Sequence, residues 1–353
     1  MSIFKNILSH NESLFLDPMA LDLEYVPQII PFRENQQKYI AECIKPLLSN
    51  RDGRNLLVYG YSGIGKTVAV KHLLNELDKE TDDVYTIYIN CWKKNTEFKI
   101  LKDICDQLNY KFIANKSSDE LFDDIKKLIN KKSAVICLDE IDKIETTEII
   151  YALLEDILRK TLIFISNDKQ WLVQLDPRIK SRLSIELLEF KPYNYEETKE
   201  ILNQRINLAF IPGAFDTNAI KNIVDKTFES NDIRTGIFLL KQSGDIAESK
   251  SSRKINQEHI IDAISKLSNF NFNKSTDLID EDKIVLDLIK NNSGKSITEI
   301  YEIYKEKGEK SYRTFQRKVD KLRRTKLIST EEINDGTRGK STKVIYNKKL
   351  NDF

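Results

Sequence analysis

The sequence predicts an α/β fold built on a parallel sheet, followed by an all-helical segment and a small basic C-terminal domain. Three observations support this fold class. Residues 33–190 alternate helical apolar patterns with short β-rich runs. The next 80 or so residues carry helical patterns only, and the last 75 or so give helices followed by two β-like runs. At 353 residues, the chain is long enough for two or three domains, each with its own core.

The α/β segment begins with a helix predicted within "RENQQKYIAECIKPLL", residues 33–48, and continues with the strand "NLLVYG". A second helix is predicted from Lys66 to about Leu77. The further predicted strands are "VYTIYIN" at 84–90, "SAVICLDE" at 133–140 and "TLIFISND" at 161–168. Because these runs are apolar without alternation, both faces of each strand should be buried. That pattern is typical of a parallel sheet covered by helices on both sides.

After "LLEFKPY" the helical patterns are "NYEETKEILNQRINLAF", "TNAIKNIVDKTFES", "DIRTGIFLLKQSGDIAES" and "NQEHIIDAISKL". The polar stretch "SNFNFNKSTD" predicts a linker. The tail then gives helices and two β-like runs, "LISTEEI" and "KVIYN", around the turn "NDGTRGKS". The predicted domains are an N-terminal extension at 1–19, an α/β domain at 20–192, an all-helical domain at 193–270, a linker at 271–280 and a C-terminal domain at 281–353.

The composition predicts a protein of the cytoplasm with no membrane partner. Apolar residues make up 40% and charged residues 31% of the chain, and no apolar run approaches the roughly 20 residues that span a bilayer. Four scattered cysteines form no C-x-x-C pair, which favours reduced thiols over a zinc or disulfide framework. The net charge is +1, but residues 281–353 hold 18 basic against 12 acidic residues. This asymmetry predicts either a polyanion contact or a solvated lysine-rich surface.

The stretch 60–67 fits the phosphate-loop pattern G-x-x-x-x-G-K-[ST] between a predicted strand and a predicted helix. Lys66, at an exposed helix start, would contact the β- and γ-phosphates, and the Thr67 hydroxyl would bind Mg²⁺. The glycines would let backbone N–H groups face the phosphates. The predicted nucleotide-binding residues here are Gly60, Tyr61, Ser62, Gly63, Ile64, Gly65, Lys66, Thr67 and Val68.

The run "AVICLDEID" supplies the acidic part of the site. Its apolar residues place Asp139 at the carboxyl end of a strand, where open α/β sheets bind ligands. Asp139 would hold Mg²⁺ through water, and Glu140 would orient or deprotonate the attacking water. Taken alone, such a run is more often a strand that ends in an ordinary acidic turn. The phosphate-loop pattern at 60–67 favours the catalytic interpretation here. Asn167, at the end of "LIFISND", is either a water-polarising residue or an ordinary turn former.

These motifs, in this order, resemble the AAA+ ATPases. "YVPQIIPFRENQQKYIAECIKPLL", "YINCW", "LDEIDKI", "ISNDKQWLVQLDPRIKSRL" and "FKPYNYEET" together look like the archaeal replication initiators related to the origin recognition complex and its licensing ATPase. The resemblance covers nearly the whole chain after residue 20. It implies a helical lid over the nucleotide, an ATP or ADP ligand with Mg²⁺, and nucleotide contacts at Val26 and Pro27.

The same resemblance assigns roles to an asparagine and to several arginines. It implies a sensor role for Asn167, an arginine finger at Arg182 that acts on the nucleotide of another copy, with Arg178 as the second choice, and a sensor arginine at Arg234 in the lid. Two departures from the family pattern stand out. Ile64 replaces a small residue, which should be harmless if its side chain points away from the phosphates. "NDIR" replaces a glycine-started motif before Arg234.

The helix predicted in "SYRTFQRKVDKLRRTKL" indicates a nucleic-acid partner. Tyr312, Phe315, Val319 and Leu322 fall on one stripe at helical spacing, and basic residues fall opposite. Residues 310–349 hold 13 basic and 4 acidic residues. A core-anchored helix with a basic outer face matches a recognition helix, and the following hairpin matches a wing. The alternative is an ordinary solvent-exposed helix, but such a helix would carry charges of both signs on its outer face. The predicted DNA contacts are Arg313, Thr314, Arg317, Lys318, Lys321, Arg338 and Lys340.

The initiator resemblance also ends in a winged helix, and it implies a second DNA contact near Trp92, Lys93, Lys94 and Thr96. A helix-capping loop is the alternative there. The implied function is a nucleoid-associated initiator that binds duplex origin DNA, assembles with other initiator copies and helps recruit the replicative helicase. Its ATPase would be weak, because the arginine finger comes from a neighbour. A DNA-binding ATPase of transposition or plasmid maintenance is the alternative. A signalling ATPase would leave the outer helix face uncharged, contrary to this sequence.

Overall fold

The fold is that of a computed structural model, which describes residues 13–274, 280–305, 311–324, 328–334 and 340–346. The chain divides into two compact units, residues 1–264 and residues 265–353. The first unit contains the α/β domain and the all-helical domain up to residue 264, and the second contains the end of the last helix of that domain and the basic C-terminal domain. None of the helices in the described ranges combines the length and apolar composition that a bilayer-crossing helix needs.

The first unit is built on a sheet whose described strands are all parallel and run in the order β2-β3-β4-β1-β5. The parallel sheet confirms the predicted fold class. The strands are β1 (Leu56–Tyr59), β2 (Val84–Asn90), β3 (Ser133–Asp139), β4 (Lys160–Ser166) and β5 (Glu186–Glu189). The edge strand β5 was not predicted, because it is short and its residues stay partly exposed instead of forming an apolar run.

Helices cover the sheet on both faces, as the apolar strands require. The residues of β3 and β4 are buried throughout. One core cluster joins the sheet to α3, α4, α5 and α7, and the other joins it to α1 and α2. These helices are α1 (Glu34–Ile44), α2 (Lys66–Glu80), α3 (Glu97–Gln107), α4 (Ser118–Ile129), α5 (Glu148–Asp156), α6 (Gln170–Gln174) and α7 (Pro177–Leu183).

The first predicted helix is shorter than its pattern. The α-helix ends at Ile44, and a 3-10 turn continues over Lys45–Ser49. Pro46 lacks the N–H that would continue the α-helical hydrogen bonds, so the chain changes to the tighter turn there. The helix after the phosphate loop extends to Glu80, three residues beyond the predicted end.

The all-helical domain consists of α8 (Tyr195–Ala209), α9 (Thr217–Ser230), α10 (Ile233–Ser249) and α11 (Gln257–Lys274). Asn194 and Glu197 form a reciprocal capping box at the start of α8. The N-terminal segment packs on this domain: Phe15 forms a β-bridge with Phe210, with ring centroids 4.7 Å apart. The described part of the predicted N-terminal extension is therefore attached to the helical domain.

The predicted linker at 271–280 is partly helical. Helix α11 continues to Lys274, and the next helix begins at Asp280. The polar composition of "SNFNFNKSTD" had indicated an irregular segment, yet none of these residues is a proline or glycine. Nothing in the stretch up to Lys274 therefore breaks the helix.

The second unit contains α12 (Asp280–Asn291), α13 (Ile297–Lys305) and α14 (Tyr312–Arg324), then the antiparallel strands β6 (Ile328–Asn334) and β7 (Lys340–Tyr346). This order matches the predicted helices and hairpin. Its core joins all of these elements and includes Val285, Ile289, Ile300, Phe315, Val319, Leu322, Ile328 and Val344. The tip of the hairpin, residues 335–339, lies outside the described residues.

Candidate nucleotide site

A cavity of about 360 Å³ lies between the carboxyl ends of the sheet strands and the all-helical domain. Its polar end is formed by the phosphate loop and by residues that follow β3 and β4. Its apolar end is formed by the segment before α1 and by helix α8. The predicted nucleotide contacts that line the cavity are Val26, Pro27, Ser62, Gly63, Gly65, Lys66, Thr67, Val68 and Asp139. The predicted Gly60, Tyr61 and Ile64 are not among the residues that line it, and the Tyr61 side chain is exposed.

The phosphate loop connects β1 to α2 in a backbone shape that glycine favours. Gly65, directly before α2, has φ +88°, which presents the first N–H groups of the helix to the cavity. Gly63 has φ +77°, and a Cβ added there would lie 2.0 Å from a carboxylate oxygen of Asp232. The Ile233 amide also donates to the Gly63 carbonyl at 3.1 Å. The helical domain thus touches the loop through a glycine that admits no side chain.

Ile64 points away from the phosphate side of the loop, as predicted. Its side chain is 1% exposed and packs in the core between the sheet and α2. The buried Arg33 holds this part of the loop from behind, since its guanidinium donates to the carbonyls of Ile64 at 3.1 Å and Lys191 at 2.7 Å. The guanidinium also stacks on Tyr193, 3.8 Å from the ring centroid. The loop is therefore supported by side chains outside its own motif.

Lys66 is buried, which corrects the expectation of an exposed helix start. Its ammonium donates to the carbonyls of Gly60 and Tyr61, both at 2.7 Å, and to Asn167 Oδ1 at 3.1 Å. The side-chain amide of Asn167 and the loop carbonyls enclose the charge. Burial lowers the pKa of Lys66 to about 8, although Asp139 opposes this shift. A phosphate would supply the anionic partner that the carbonyls only partly replace.

Thr67 and Asp139 form the candidate magnesium position. The Thr67 hydroxyl donates to Asp139 Oδ2 at 2.7 Å, and the Asp139 carboxylate is 2% exposed. A hydroxyl and a carboxylate are the hard oxygen donors that Mg²⁺ prefers, and Mg²⁺ sites of this kind are completed by phosphate oxygens and water. Among the described residues no cluster of three or more acidic, histidine or cysteine side chains could hold a metal. The residues present therefore fit a phosphate-bound Mg²⁺ and not an all-protein metal site.

Glu140 follows Asp139 in a left-handed conformation, with φ +54°. Its amide donates to Asp139 Oδ1 at 2.8 Å, and both residues line the cavity. Burial and the neighbouring carboxylates of Asp139 and Asp142 raise the pKa of Glu140. A carboxylate with a raised pKa is a stronger proton acceptor, which suits the predicted general base.

Arg234, near the start of α10, reaches the loop from the helical domain. Its guanidinium donates to the Ser62 hydroxyl at 2.9 Å and pairs with Asp232 at 2.6 Å. Asp232 is also the N-cap of α10. Asn231, which stands first in "NDIR" in place of the family's glycine, has φ +50°, and Arg234 still lines the cavity with Asp232 as its acidic partner.

The predicted arginine finger lies outside this cavity. The exposed Arg182, in α7, forms an ion pair with Glu155 and lies over Tyr151 at 5.4 Å. Arg178 is exposed on the same helix. Neither arginine lines the cavity of its own chain. The arginine finger therefore stays a prediction, and it requires the nucleotide of another copy.

In the second unit, helix α14 buries one face. Phe315, Val319 and Leu322 are at most 2% exposed, whereas Tyr312 is 40% exposed and packs edge-on against Tyr301. The predicted apolar stripe is therefore correct except for its first residue, which lies at the helix terminus. The predicted DNA contacts Arg313 and Arg317 are exposed, and Thr314 and Lys318 are half-buried. The side chains of Lys321 and Lys340 and the whole of Arg338 fall outside the described part of the chain.

The other predicted DNA contact is a turn after β2. Thr96 accepts a hydrogen bond from the Lys99 amide at 3.4 Å as the N-cap of α3, so the helix-capping alternative is observed. Lys93 and Lys94 lie 3.4 Å and 3.6 Å from acidic side chains. Trp92 is 65% exposed. The turn presents an aromatic side chain and two partly neutralised lysines.

Sequence reasoning missed several cavity residues. Tyr88 on β2 donates to Asp139 Oδ2 at 2.6 Å, and Tyr193 closes over Gly65. Arg205 of α8 donates to the Ala20 carbonyl at 3.0 Å. Tyr88 is the first residue of "YINCW", and Tyr193 lies within "FKPYNYEET". Their position in the site depends on strand register and domain packing, which no local pattern encodes.

The comparisons with known proteins agree with this geometry. The AAA domain family matches residues 50–174, and the Cdc6 AAA+ ATPase-type lid domain family matches residues 199–265. ORC1-type DNA replication protein 2 of Methanothermobacter thermautotrophicus is 30% identical over 96% of this chain and 93% of its own length. ORC1-type DNA replication protein 1 of Archaeoglobus fulgidus is 31% identical over 86% and 79%.

Solved structures give the same result. The Aeropyrum pernix ORC1 protein, solved in complex with DNA, has a TM-score of 0.80 and 25% identity, covering 96% of this chain and 94% of that one. The Aeropyrum pernix ORC2 protein, solved as ADPNP-ADP complexes, shares the fold with a TM-score of 0.66 and 19% identity, covering 95% and 94%. The chain has a phosphate-loop site and a lid domain of the Cdc6 type, and the relatives match nearly its whole length. The chain therefore belongs to the family of ORC1-type DNA replication proteins.

Proposed function

We propose that this protein is an ATP-dependent replication initiator that binds duplex origin DNA. The proposal rests on the observation that this chain carries two candidate functional surfaces, one in each unit. The first unit brings Lys66, Thr67, Asp139 and Glu140 together around one cavity. The second unit anchors α14 by a buried face and exposes arginines on another.

ATP is the nucleotide that we assign to the cavity. The amides of the phosphate loop and Lys66 would bind the phosphates, and Thr67 and Asp139 would hold Mg²⁺, which when bound neutralises charge on the γ-phosphate. Glu140 would accept the proton of the attacking water, and Asn167 would orient that water. Arg182 would complete the site of a neighbouring copy, so that an isolated molecule hydrolyses ATP slowly.

Duplex DNA is the partner that we assign to the second unit, acting as a winged helix. Its helices followed by a hairpin have the order of that motif, with α14 as the recognition helix. The likeness to an ORC1 protein solved with DNA supports this assignment. The turn at Trp92, Lys93 and Lys94 would add a second contact from the first unit. Other initiator copies and the replicative helicase are the proposed protein partners, in the cytoplasm at the nucleoid.

The test measures binding of the full-length protein to origin duplexes and to scrambled duplexes over a salt series, with and without ATP and Mg²⁺. If about 5 basic groups meet phosphates, log affinity should fall against log salt with a slope of about −4 to −5. The absence of salt-dependent binding would overturn the initiator proposal. Genomic footprints without preference for origins would instead favour an ATPase of transposition or plasmid maintenance.

A further inference from the structure

Tyr88 lies beside the candidate magnesium position on the neighbouring strand. On the parallel pair β2 and β3, Tyr88 is opposite Cys137, two residues before Asp139. Side chains two residues apart on a strand share a face, so the Tyr88 ring is the diagonal neighbour of Asp139 and within reach of it. Its hydroxyl donates to Asp139 Oδ2 at 2.6 Å, and Tyr88 lines the cavity.

Three donors fix the orientation of the Asp139 carboxylate. Oδ1 accepts from the Glu140 amide at 2.8 Å, and Oδ2 accepts from Thr67 at 2.7 Å and from Tyr88. The Thr67 proton points to Asp139, so the lone pairs of that hydroxyl remain for a metal. Without the tyrosine hydroxyl, the Glu140 amide would still hold Oδ1, but the sole remaining donor to Oδ2 among these three would be Thr67, the residue that also has to bind the ion.

Tyr88 is itself held in place. The Lys71 ammonium lies over its ring, 4.4 Å from the centroid, and Lys71 belongs to α2, the helix that also carries Thr67. The ring is therefore held in the position from which its hydroxyl donates to Asp139.

We infer that Tyr88 is a positioning residue for magnesium, which acts by holding Asp139 Oδ2 in the orientation that Thr67-bound Mg²⁺ requires. This inference rests on the proposed Mg²⁺-ATP site and adds a residue outside the phosphate loop and the acidic strand end. Outer hydrogen-bond partners of metal ligands commonly change metal affinity by about 10- to 100-fold. Because Tyr88 is one of three donors to the carboxylate, we expect the lower end of that range.

The experiment titrates Mg²⁺ into the full-length protein with a fixed ATP concentration and measures nucleotide binding, with a parallel ATP titration in EDTA. Tyr88→Phe keeps the ring and its Lys71 contact and removes only the hydroxyl. The variant should need about 10-fold more Mg²⁺ for half-maximal enhancement of ATP binding, with unchanged affinity in EDTA. Tyr85→Phe is the matched control, since Tyr85 lies on the same strand, faces the other side of the sheet and also has a lysine, Lys132, over its ring.

A double-mutant comparison with Asp139→Asn separates positioning from packing. If Tyr88 acts through Asp139, Tyr88→Phe should shift the Mg²⁺ requirement much less in the Asp139→Asn protein than in the unaltered one. Equal losses of ATP affinity with and without Mg²⁺, or a Mg²⁺ requirement equal to that of the unaltered protein, would overturn the inference. If the unaltered protein itself gains no affinity from Mg²⁺, the proposed Mg²⁺-ATP site fails instead.

Discussion

The Asp232 carboxylate accepts hydrogen bonds from both the backbone amide and the guanidinium of Arg234. Asp232 Oδ1 accepts the Arg234 amide at 2.9 Å, and the guanidinium donates to both carboxylate oxygens, the shorter contact being 2.6 Å. The same guanidinium reaches Ser62 in the phosphate loop. Any phosphate that Arg234 binds must therefore compete with an aspartate that is fixed in place as a helix cap.

The first prediction concerns this competition. Asp232→Asn should increase ATP affinity by about 2- to 5-fold, because the partly exposed ion pair contributes modestly and asparagine caps a helix as well as aspartate does. Calorimetric titration of ATP into both proteins measures the change. The gain should be absent when Arg234→Ala is combined with Asp232→Asn. A weaker affinity in the single variant would mean that Asp232 supports nucleotide binding.

The second prediction follows from the buried ammonium of Lys66. Its pKa of about 8 lies below the ordinary lysine value, and bound phosphates would raise it again. ATP binding above pH 8 should therefore take up a proton, and affinity should fall with rising pH by up to about tenfold per unit. Below about pH 7, Lys66 is almost fully charged already, and this dependence should vanish.

Calorimetry in buffers of different ionisation enthalpy measures the proton uptake directly. Lys66→Arg is the control, because a guanidinium stays charged over the whole range, and Lys66→Ala should lose ATP binding at every pH. Proton uptake at pH 8.5 that persists in Lys66→Arg would assign the titration to another group.

Glu140→Gln should retain ATP binding and reduce hydrolysis by at least about 100-fold, the usual contribution of a general base. Thr67 and Asp139 remain in place, so Mg²⁺-dependent binding should be unchanged. Single-turnover hydrolysis in the assembled state gives the rate. Turnover at the unaltered rate would remove Glu140 from the mechanism.

Arg182→Ala should leave ATP binding by dilute protein unchanged and reduce hydrolysis in assemblies by at least about 10-fold, because the side chain lies outside its own cavity. Arg178→Ala, on the same helix, tests the second choice for the finger and should be nearly silent. Mixing Arg182→Ala with Glu140→Gln copies should restore activity at interfaces that combine an intact arginine with an intact glutamate. An equal loss in dilute monomer would show action within one chain.

Arg313→Ala and Arg317→Ala should reduce discrimination between origin and scrambled duplexes, since both side chains are exposed on the proposed recognition helix. Each lost base contact should cost about 5- to 100-fold for the preferred sequence. Arg323→Ala is the control on the same helix, because that arginine pairs with Asp320 at 3.2 Å. Binding curves for both duplexes at one salt concentration make the comparison. A uniform loss on both would reassign the arginines to phosphate contacts.

The sequence alone determined the parallel sheet and the polar end of the nucleotide site. Apolar runs without alternation identify buried parallel strands, and the spacing from Gly60 to Thr67 is a local pattern. Asp139 follows directly from its strand, because parallel strands end at the same edge of a sheet. The sequence analysis also expected the Ile64 side chain to point away from the phosphates, and this side chain packs in the core behind the loop.

Only the tertiary structure placed Tyr88 against Asp139, Asp232 against Gly63, and Lys66 in a buried position. Each of these relationships joins residues from different elements, and each depends on strand register or on how the helical domain packs over the loop. Hydrophobic periodicity tells which face of an element is buried, but not which partner covers it. The sequence could therefore identify the residues for which we propose phosphate and metal contacts, whereas the residues that hold them in position emerged only when the chain was folded.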